Sequence, residues 1–225
     1  MKDNVSSYFA SPIYYEDKPE FLEDLNKICQ PYIDDSKANF KKETKLSEED
    51  KNDFSKVYHS ANLIDDPKFK FFIDYVGAKS CDMLNYMGFD LTHHTVLWRD
   101  LWVQEFTKTG GGHHRIHVHE NCHISGFYFL ETEGSYPLFH DPRPSAVMTH
   151  LPEIDDTNIT FANKSINYQP QPGALMLFPS YMPHEYYVSN GDPFKFIHVN
   201  LTAAESHVVR QEGAVWHLRK IDIKF

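Results

Sequence analysis

The stretch 110-GGGHHRIHVHENCHISGFYFL-130 holds five of the chain's fourteen histidines within eleven positions, then becomes a β-prone apolar run. His117 and His119 stand two apart, and residues i and i+2 of a strand point to one face, so both imidazoles can reach one ion. Glu120 would point to the other face of a regular strand. His113 and His114 occupy a glycine-rich entry loop. His123 keeps the strand phase of His117 but lies too far along for a ligand, so a supporting role or substrate contact fits it better. Ser125, Phe127 and Phe129 share the inward face. A third histidine comes far downstream, in 172-PGALMLFPSYMPHEYYV-188. There Gly173 makes a turn, ALMLF reads as a buried strand, PSYMP as a rigid bend, and His184 starts the next strand. A histidine pair on one strand and a distant histidine on a facing strand is the layout of a metal held between the sheets of a jelly roll.

The surrounding chain supports that architecture. From Thr95 onward the hydrophobic period is two, in TVLWRDLWVQEF, HISGFYFLET, YPLFHD, SINYQP, ALMLFPS, HEYYVSN and FKFIHVNLTA. Gly, Pro, Asn and Asp separate these runs, and no helix intervenes. Such a series predicts an antiparallel sandwich or barrel and excludes βαβ units.

The first half is mixed. YFASPIYY reads as a short strand that Pro12 keeps from the middle of a sheet. PEFLEDLNKICQPYIDD spaces Phe21, Leu22, Leu25 and Ile28 as a helix, with Pro19 in its first turn and Pro31 ending it. KANFKKETKLSEEDKNDFSK is charged and reads as a solvated excursion. DPKFKFFIDYVGAKSCDMLNYMG carries a helical stripe of Phe69, Phe72, Ile73, Val76 and Met83, with Asp66 as cap and Gly88 at the C-terminal stop. The fold class is therefore mainly β with N-terminal helices. A single domain is expected over 1–225: a helical and mixed support region at 1–94, the β core at 95–204 and a C-terminal extension at 205–225. The closing AVWHLRKIDIKF fits an added edge strand or a dimer contact equally well, and the oligomeric state is not readable.

Bulk properties narrow the function. A formal net charge of −10 argues against sequence-independent binding to nucleic acid, which needs clustered Lys and Arg. No apolar run approaches the ~20 residues that span a bilayer, and the N-terminus lacks a signal-type apolar region, so a cytoplasmic protein is expected. Cys29, Cys81 and Cys122 are odd in number and far apart, which indicates neither a disulfide framework nor a structural zinc site. Cys122 reads as a small filler beside the histidines.

Between about Leu101 and Ala203 the chain resembles the iron(II)- and 2-oxoglutarate-dependent dioxygenases of the double-stranded β-helix fold. The segments are LWVQEF, GGGHHRIHVHENCHISGFYFLE, YPLFHDPRP, PGALMLFPSYMPHEY and DPFKFIHVN. Prolyl hydroxylases share the order: HxD, a YL strand, PxxGxxxxFP, a second His, and a basic residue about ten positions later. Within the superfamily the chain looks closest to oxygenases of tailed bacteriophages of marine cyanobacteria, which would place it in the host cytoplasm. The resemblance implies His117 and His184 as metal ligands, with Lys195 anchoring the C5 carboxylate of 2-oxoglutarate. The flanks Phe194, Phe196 and Ile197 suit a buried lysine, and inward-facing Ser125 is a further candidate for hydrogen bonding 2-oxoglutarate. Where the usual facial triad has Asp, this chain has His119. His119 completes a three-histidine site, or Glu120 swings in after a bulge, or His119 only supports a weakly held metal; the i, i+2 geometry favours the first. Asp141 and Arg143 should lie near the mouth of the site, as a structural pair or with Arg143 meeting an anionic substrate.

The implied reaction is hydroxylation of a C–H bond in a small-molecule or peptide substrate, peptidyl proline among them, with decarboxylation of 2-oxoglutarate to succinate. Two other readings remain at this point: a cupin-type metalloenzyme that does not use 2-oxoglutarate, and a non-catalytic jelly-roll binding or virion module.

Overall fold

A computed structural model of the chain describes residues 6–43, 57–106, 113–145, 151–154, 157–189, 193–211 and 219–220. The strands are β1 (Tyr14–Asp17), β2 (Val57–His59), β3 (His94–Phe106), β4 (His113–His117), β5 (Ile124–Glu131), β6 (Tyr136–His140), β7 (Ser165–Asn167), β8 (Ala174–Pro179), β9 (His184–Tyr187), β10 (Phe194–Glu205) and β11 (Arg219–Lys220). The helices are α1 (Leu22–Glu43), α2 (Lys70–Tyr86) and α3 (Ser206–Gln211). Every period-two run read from the sequence is a strand, and all strand pairs are antiparallel.

Two sheets form a jelly roll. The larger runs β1-β8-β5-β10-β3-β11, with β2 also on β3, and the smaller runs β4-β9-β6-β7. Strand alternation sends one side chain set of the large sheet outward to the helices and the other inward. Tyr128, Leu175, Leu177, Ile197 and Val199 pack with Leu25, Cys29 and Ile33 of α1 and with Phe72, Ile73 and Val76 of α2. Phe127, Phe129, Met176, Phe178, Phe194 and Phe196 form the inner core, which Phe139 and Tyr186 of the small sheet complete. Gly126 on β5 stands opposite Leu177 of β8 and Val199 of β10.

The helices follow the sequence in part. Asp66 caps the turn Pro67–Phe69 that leads into α2, its side chain accepting from Lys68 N at 3.0 Å. Gly88, at φ +88°, stops the helix. Pro31, expected to end the first helix, lies inside α1, which runs on to Glu43. Pro31 and Lys27, whose carbonyl loses its helical partner, are both exposed, so water replaces the missing bond. The start of the charged stretch is thus helical, and its residues 44–56 lie outside the described residues. β1 is an edge strand, as Pro12 requires. Arg219–Lys220 pair with Leu97 and Trp98 as an edge strand on β3, one of the two alternatives for the C-terminal segment. No described helix is long and apolar enough to cross a membrane.

Candidate metal centre

His117 ends β4 and pairs across the small sheet with His184, the first residue of β9. The two rings stand 4.3 Å apart between centroids. β4 is irregular between His114 and His117, and the chain leaves the strand at Val118. His119 therefore reaches the site from a turn and not from a regular strand, its N–H donating to the Ser180 carbonyl at 3.0 Å. The outcome is the one that i, i+2 spacing implies: one ring nitrogen each from His117, His119 and His184 lie within 4.8 Å of one another.

Hydrogen bonds fix which nitrogens are offered. His117 Nδ1 lies 2.9 Å from the Arg115 carbonyl, and His184 Nδ1 lies 3.0 Å from the Met182 carbonyl. A carbonyl only accepts, so each Nδ1 carries the proton and each Nε2 keeps a lone pair, the arrangement a metal ligand needs. His119 Nε2 lies 3.3 Å from His184 Nε2. Donors about 2.0–2.2 Å from one ion stand about 3.0–3.5 Å apart, so this separation is a ready polyhedron edge. The donor set fits iron(II), because neutral imidazoles suit that ion. His184 is fully buried, with Phe127, Phe139 and Phe178 around it at ring distances of 5.8, 5.9 and 4.9 Å.

The other expected residues divide. Glu120 is exposed in the following turn, where its carbonyl accepts from Arg99 Nη1 at 2.8 Å; it stands outside the three-residue cluster. Cys122 also lies outside, a half-buried thiol near Arg99 whose pKa is raised by burial. His123 Nδ1 accepts from Ala203 N at 3.0 Å, which ties it to β10. Asp141 and Arg143 form the structural pair, Arg143 Nε and Nη2 donating to the carboxylate at 2.9 and 2.7 Å. That guanidinium holds the Asp141 carboxyl below its ordinary range. The backbone of His113 and His114 pairs with β9, while their side chains lie outside the described residues.

Ser125 faces inward as expected, but its hydroxyl has other work. It donates to Asn200 Oδ1 at 2.7 Å and shares a 2.8 Å bond with Ser180, whose carbonyl holds His119. Asn200 Nδ2 continues the chain to Asp100 at 3.3 Å.

Lys195 is a correction. On β10 the inward positions are Phe194, Phe196 and His198, whereas Lys195 shares the outward face with Ile197 and Val199. Its ammonium pairs with Glu131 and reaches Gln30 of α1 at 3.3 Å, while neighbouring Glu105 takes Lys37 of α1 at 2.6 Å. The sheet stands between Lys195 and the histidines. Among the described residues no other lysine or arginine is buried. Lys195→Ala should therefore lower stability by about 2 kcal/mol, below the full cost of breaking a buried pair because Glu131 is partly exposed. It should leave iron(II) and 2-oxoglutarate affinities unchanged. Urea unfolding and a co-substrate titration check both halves, and a selective loss of 2-oxoglutarate binding would restore the anchor role.

Two buried polar atoms on the inward face have no partner among the described residues: Gln104 Nε2 and His198 Nδ1. Gln104 accepts from Trp102 Nε1 at 3.3 Å, which leaves its amide N–H groups to give. A buried unmet donor is costly and marks a place for an anion's oxygen, so the barrel interior fits a carboxylate-bearing co-substrate through an amide and not an ammonium. His198 was not singled out in the sequence. It lies 1% exposed on β10, its ring stacked on Trp102 at 4.2 Å and its Nε2 3.2 Å from His119 Nε2. Burial and the neighbouring imidazoles keep its pKa far below the ordinary histidine value, so it is neutral.

Comparison with known proteins bears on the family and the fold. Residues 100–195 match the family model described as "Putative 2OG-Fe(II) oxygenase". No curated protein sequence matches the chain. Among solved structures, AviO1 from Streptomyces viridochromogenes Tue57 is 9% identical, with a TM-score of 0.55 over 85% of this chain and 90% of that one. The non-heme alpha-ketoglutarate-dependent epimerase SnoN of nogalamycin biosynthesis is 10% identical, with a TM-score of 0.53 over 95% and 88%. A Pseudomonas putida prolyl-4-hydroxylase is 10% identical, with a TM-score of 0.51 over 86% and 94%. At these identities the likeness is one of fold, and it is the oxygenase jelly roll. Over residues 100–195 the chain thus matches a 2OG-Fe(II) oxygenase family model, and the protein is an oxygenase that works with iron(II) and 2-oxoglutarate.

Proposed function

We propose that the protein hydroxylates a C–H bond of a small molecule or of a peptidyl residue such as proline, converting 2-oxoglutarate to succinate, with His117, His119 and His184 as the iron ligands. The observation that carries this reading is the convergence of three imidazole nitrogens within 4.8 Å. The two substrate classes follow the prolyl-4-hydroxylase and the epimerase of nogalamycin biosynthesis that share the fold. The nearer kinship with oxygenases of tailed cyanobacterial phages rests on the segments quoted from Leu101 to Ala203.

When bound, iron(II) and 2-oxoglutarate supply the oxidising chemistry; the protein supplies orientation and a water-poor pocket. The Arg115 and Met182 carbonyls keep the protons of His117 and His184 on Nδ1 and so present Nε2 inward. The Asn200–Ser125–Ser180 chain steadies the carbonyl that holds His119. Gln104 Nε2, buried and without a partner among the described residues, would be the donor for the carboxylate end of the co-substrate. Phe127, Phe139 and Phe178 exclude water from the His184 side. A cleft of about 360 Å³ lined by Arg143, Phe161 and Lys164 abuts the same Phe139 and Met182, giving the substrate a route to that wall.

The test is an anaerobic titration of the metal-free protein with iron(II) and then 2-oxoglutarate, followed by visible absorption. A charge-transfer band that His117→Ala removes is the expected result. Metal binding without a band would overturn the 2-oxoglutarate part, and absence of metal binding would overturn the whole reading.

A further inference from the structure

We propose that His198 and Gln104 form an uncharged two-point grip on the remote end of the co-substrate, so that the site takes a 2-oxo acid with an uncharged carbonyl tail nearly as well as 2-oxoglutarate. This rests on the reading above, in which the 2-oxo acid end chelates an ion held by three histidines. The two side chains lie 1% and 3% exposed, and His198 Nδ1 and Gln104 Nε2 have no partner among the described residues. His198 stands opposite Trp102 in the β10–β3 register, and Gln104 lies two residues beyond Trp102, so the pair are diagonal neighbours on the inward face. Trp102 fixes both. Its ring stacks on His198 at 4.2 Å and 3°, and its indole N–H donates to Gln104 Oε1 at 3.3 Å. An indole only donates, so the Gln104 amide turns its oxygen to Trp102 and keeps its N–H groups to give.

Hydrogen bonding also settles where His198 carries its proton. His198 Nε2 lies 3.2 Å from His119 Nε2. If His119 binds the ion through Nε2, that atom has no lone pair left, and a proton on His198 Nε2 would find no acceptor there. If His119 binds through Nδ1, its Nε2–H donates to His198 Nε2. In both cases the His198 proton sits on Nδ1. Two buried N–H donors thus go unmet in one part of the barrel, the first beside His119 and the second one strand step further along. Each unmet donor is costly, and a ligand oxygen that meets it recovers the cost. A 2-oxo acid chelating at one end would carry its remote oxygens past His198 toward Gln104.

The grip carries no charge. Gln104 cannot ionise, and a second proton on His198 would face the metal dication across one imidazole, which like-charge repulsion excludes. Among the described residues no lysine or arginine is buried on the inward face. A carboxylate makes stronger hydrogen bonds to such donors than a ketone does, yet it gives up more hydration on entering the barrel. The two effects oppose one another, whereas an ammonium or guanidinium would tip the balance toward the anion.

The experiment uses the full chain, loaded anaerobically with saturating iron(II), and reads the Kd of three acids from the visible band of the chelate. They are 2-oxoglutarate, its isosteric methyl ketone (a methyl group replacing one oxygen of the remote carboxylate) and 2-oxopentanoate, which has the same carbon chain and no remote oxygen. In the wild type the ketone and 2-oxoglutarate should bind within about tenfold of each other, and 2-oxopentanoate about tenfold or more weaker than both. Gln104→Leu and His198→Phe should each weaken 2-oxoglutarate and the ketone by about tenfold and leave 2-oxopentanoate unchanged. Thermal unfolding of the metal-free variants checks that the fold is intact, and the wild-type comparison needs no variant. A wild-type preference for 2-oxoglutarate over the ketone of about a hundredfold or more would overturn the proposal, because it would reveal a charged anchor. Equal weakening of all three acids, or no change in either variant, would overturn it as well. A band with none of the acids would instead remove the underlying reading of the metal centre.

Discussion

Replacing His117 by alanine should raise the iron(II) Kd at least about a hundredfold, beyond the 10–100-fold typical of losing a partner outside the ligand set. On the proposed set of three neutral ligands and no carboxylate, each nitrogen would hold a large share of the binding, and two imidazoles would leave the ion mostly to water. Succinate formation from 2-oxoglutarate, which needs no knowledge of the substrate, should fall in step. His117 is the better choice than His184, because His184 is fully buried and its truncation would also open a cavity among phenylalanines. A His117→Ala protein with wild-type metal content after anaerobic loading would refute the ligand assignment. His119→Asp sharpens the case: it restores the common two-histidine, one-carboxylate set and should keep the metal where His119→Ala loses it.

Gly126→Ala should lower stability by about 3 kcal/mol, the upper part of the range for overpacked cores. A Cβ at Gly126 would lie 2.5 Å from Leu177 Cδ2, 2.5 Å from the Met176 carbonyl oxygen and 3.2 Å from Val199 Cγ2. A side chain tip can turn away, but a carbonyl fixed in a ladder cannot, and β5 is hemmed by β8 and β10. Gly134→Ala is the control: its Cβ would meet nothing nearer than 3.7 Å, so the φ of +78° is its main cost, about 1 kcal/mol. Denaturant midpoints of the metal-free proteins decide the matter, and equal midpoints for the two variants would contradict the packing argument.

The sheets were legible because alternation is a local property that burial enforces residue by residue. The meeting of His117, His119 and His184 was legible only in part: their spacing brings them near one another, but His119 arrives from a turn after β4 and not by strand alternation. The errors came where side chain direction depends on a count. Lys195 is buried, as its apolar flanks suggest, yet burial alone does not choose a face. Eleven positions from His184 put it on the outward set, next to a register irregularity between Lys195 and Phe196. His198, three residues on, takes the inward set. A single histidine in an apolar run carries no local mark of a partner, and only the pairing of β10 with β3 puts it opposite Trp102. Pro31 misled because a helix breaker acts through a lost carbonyl bond, and here that carbonyl belongs to exposed Lys27.

The two carbonyls that bond His117 and His184 share a design: each belongs to the residue two positions before its histidine. Each ring is therefore aimed by its own short length of backbone. The entropy of orienting these ligands is lost during folding and not when the ion arrives. Metal uptake should then be fast and should change backbone amide protection little, with the order of the site established before anything is bound in it.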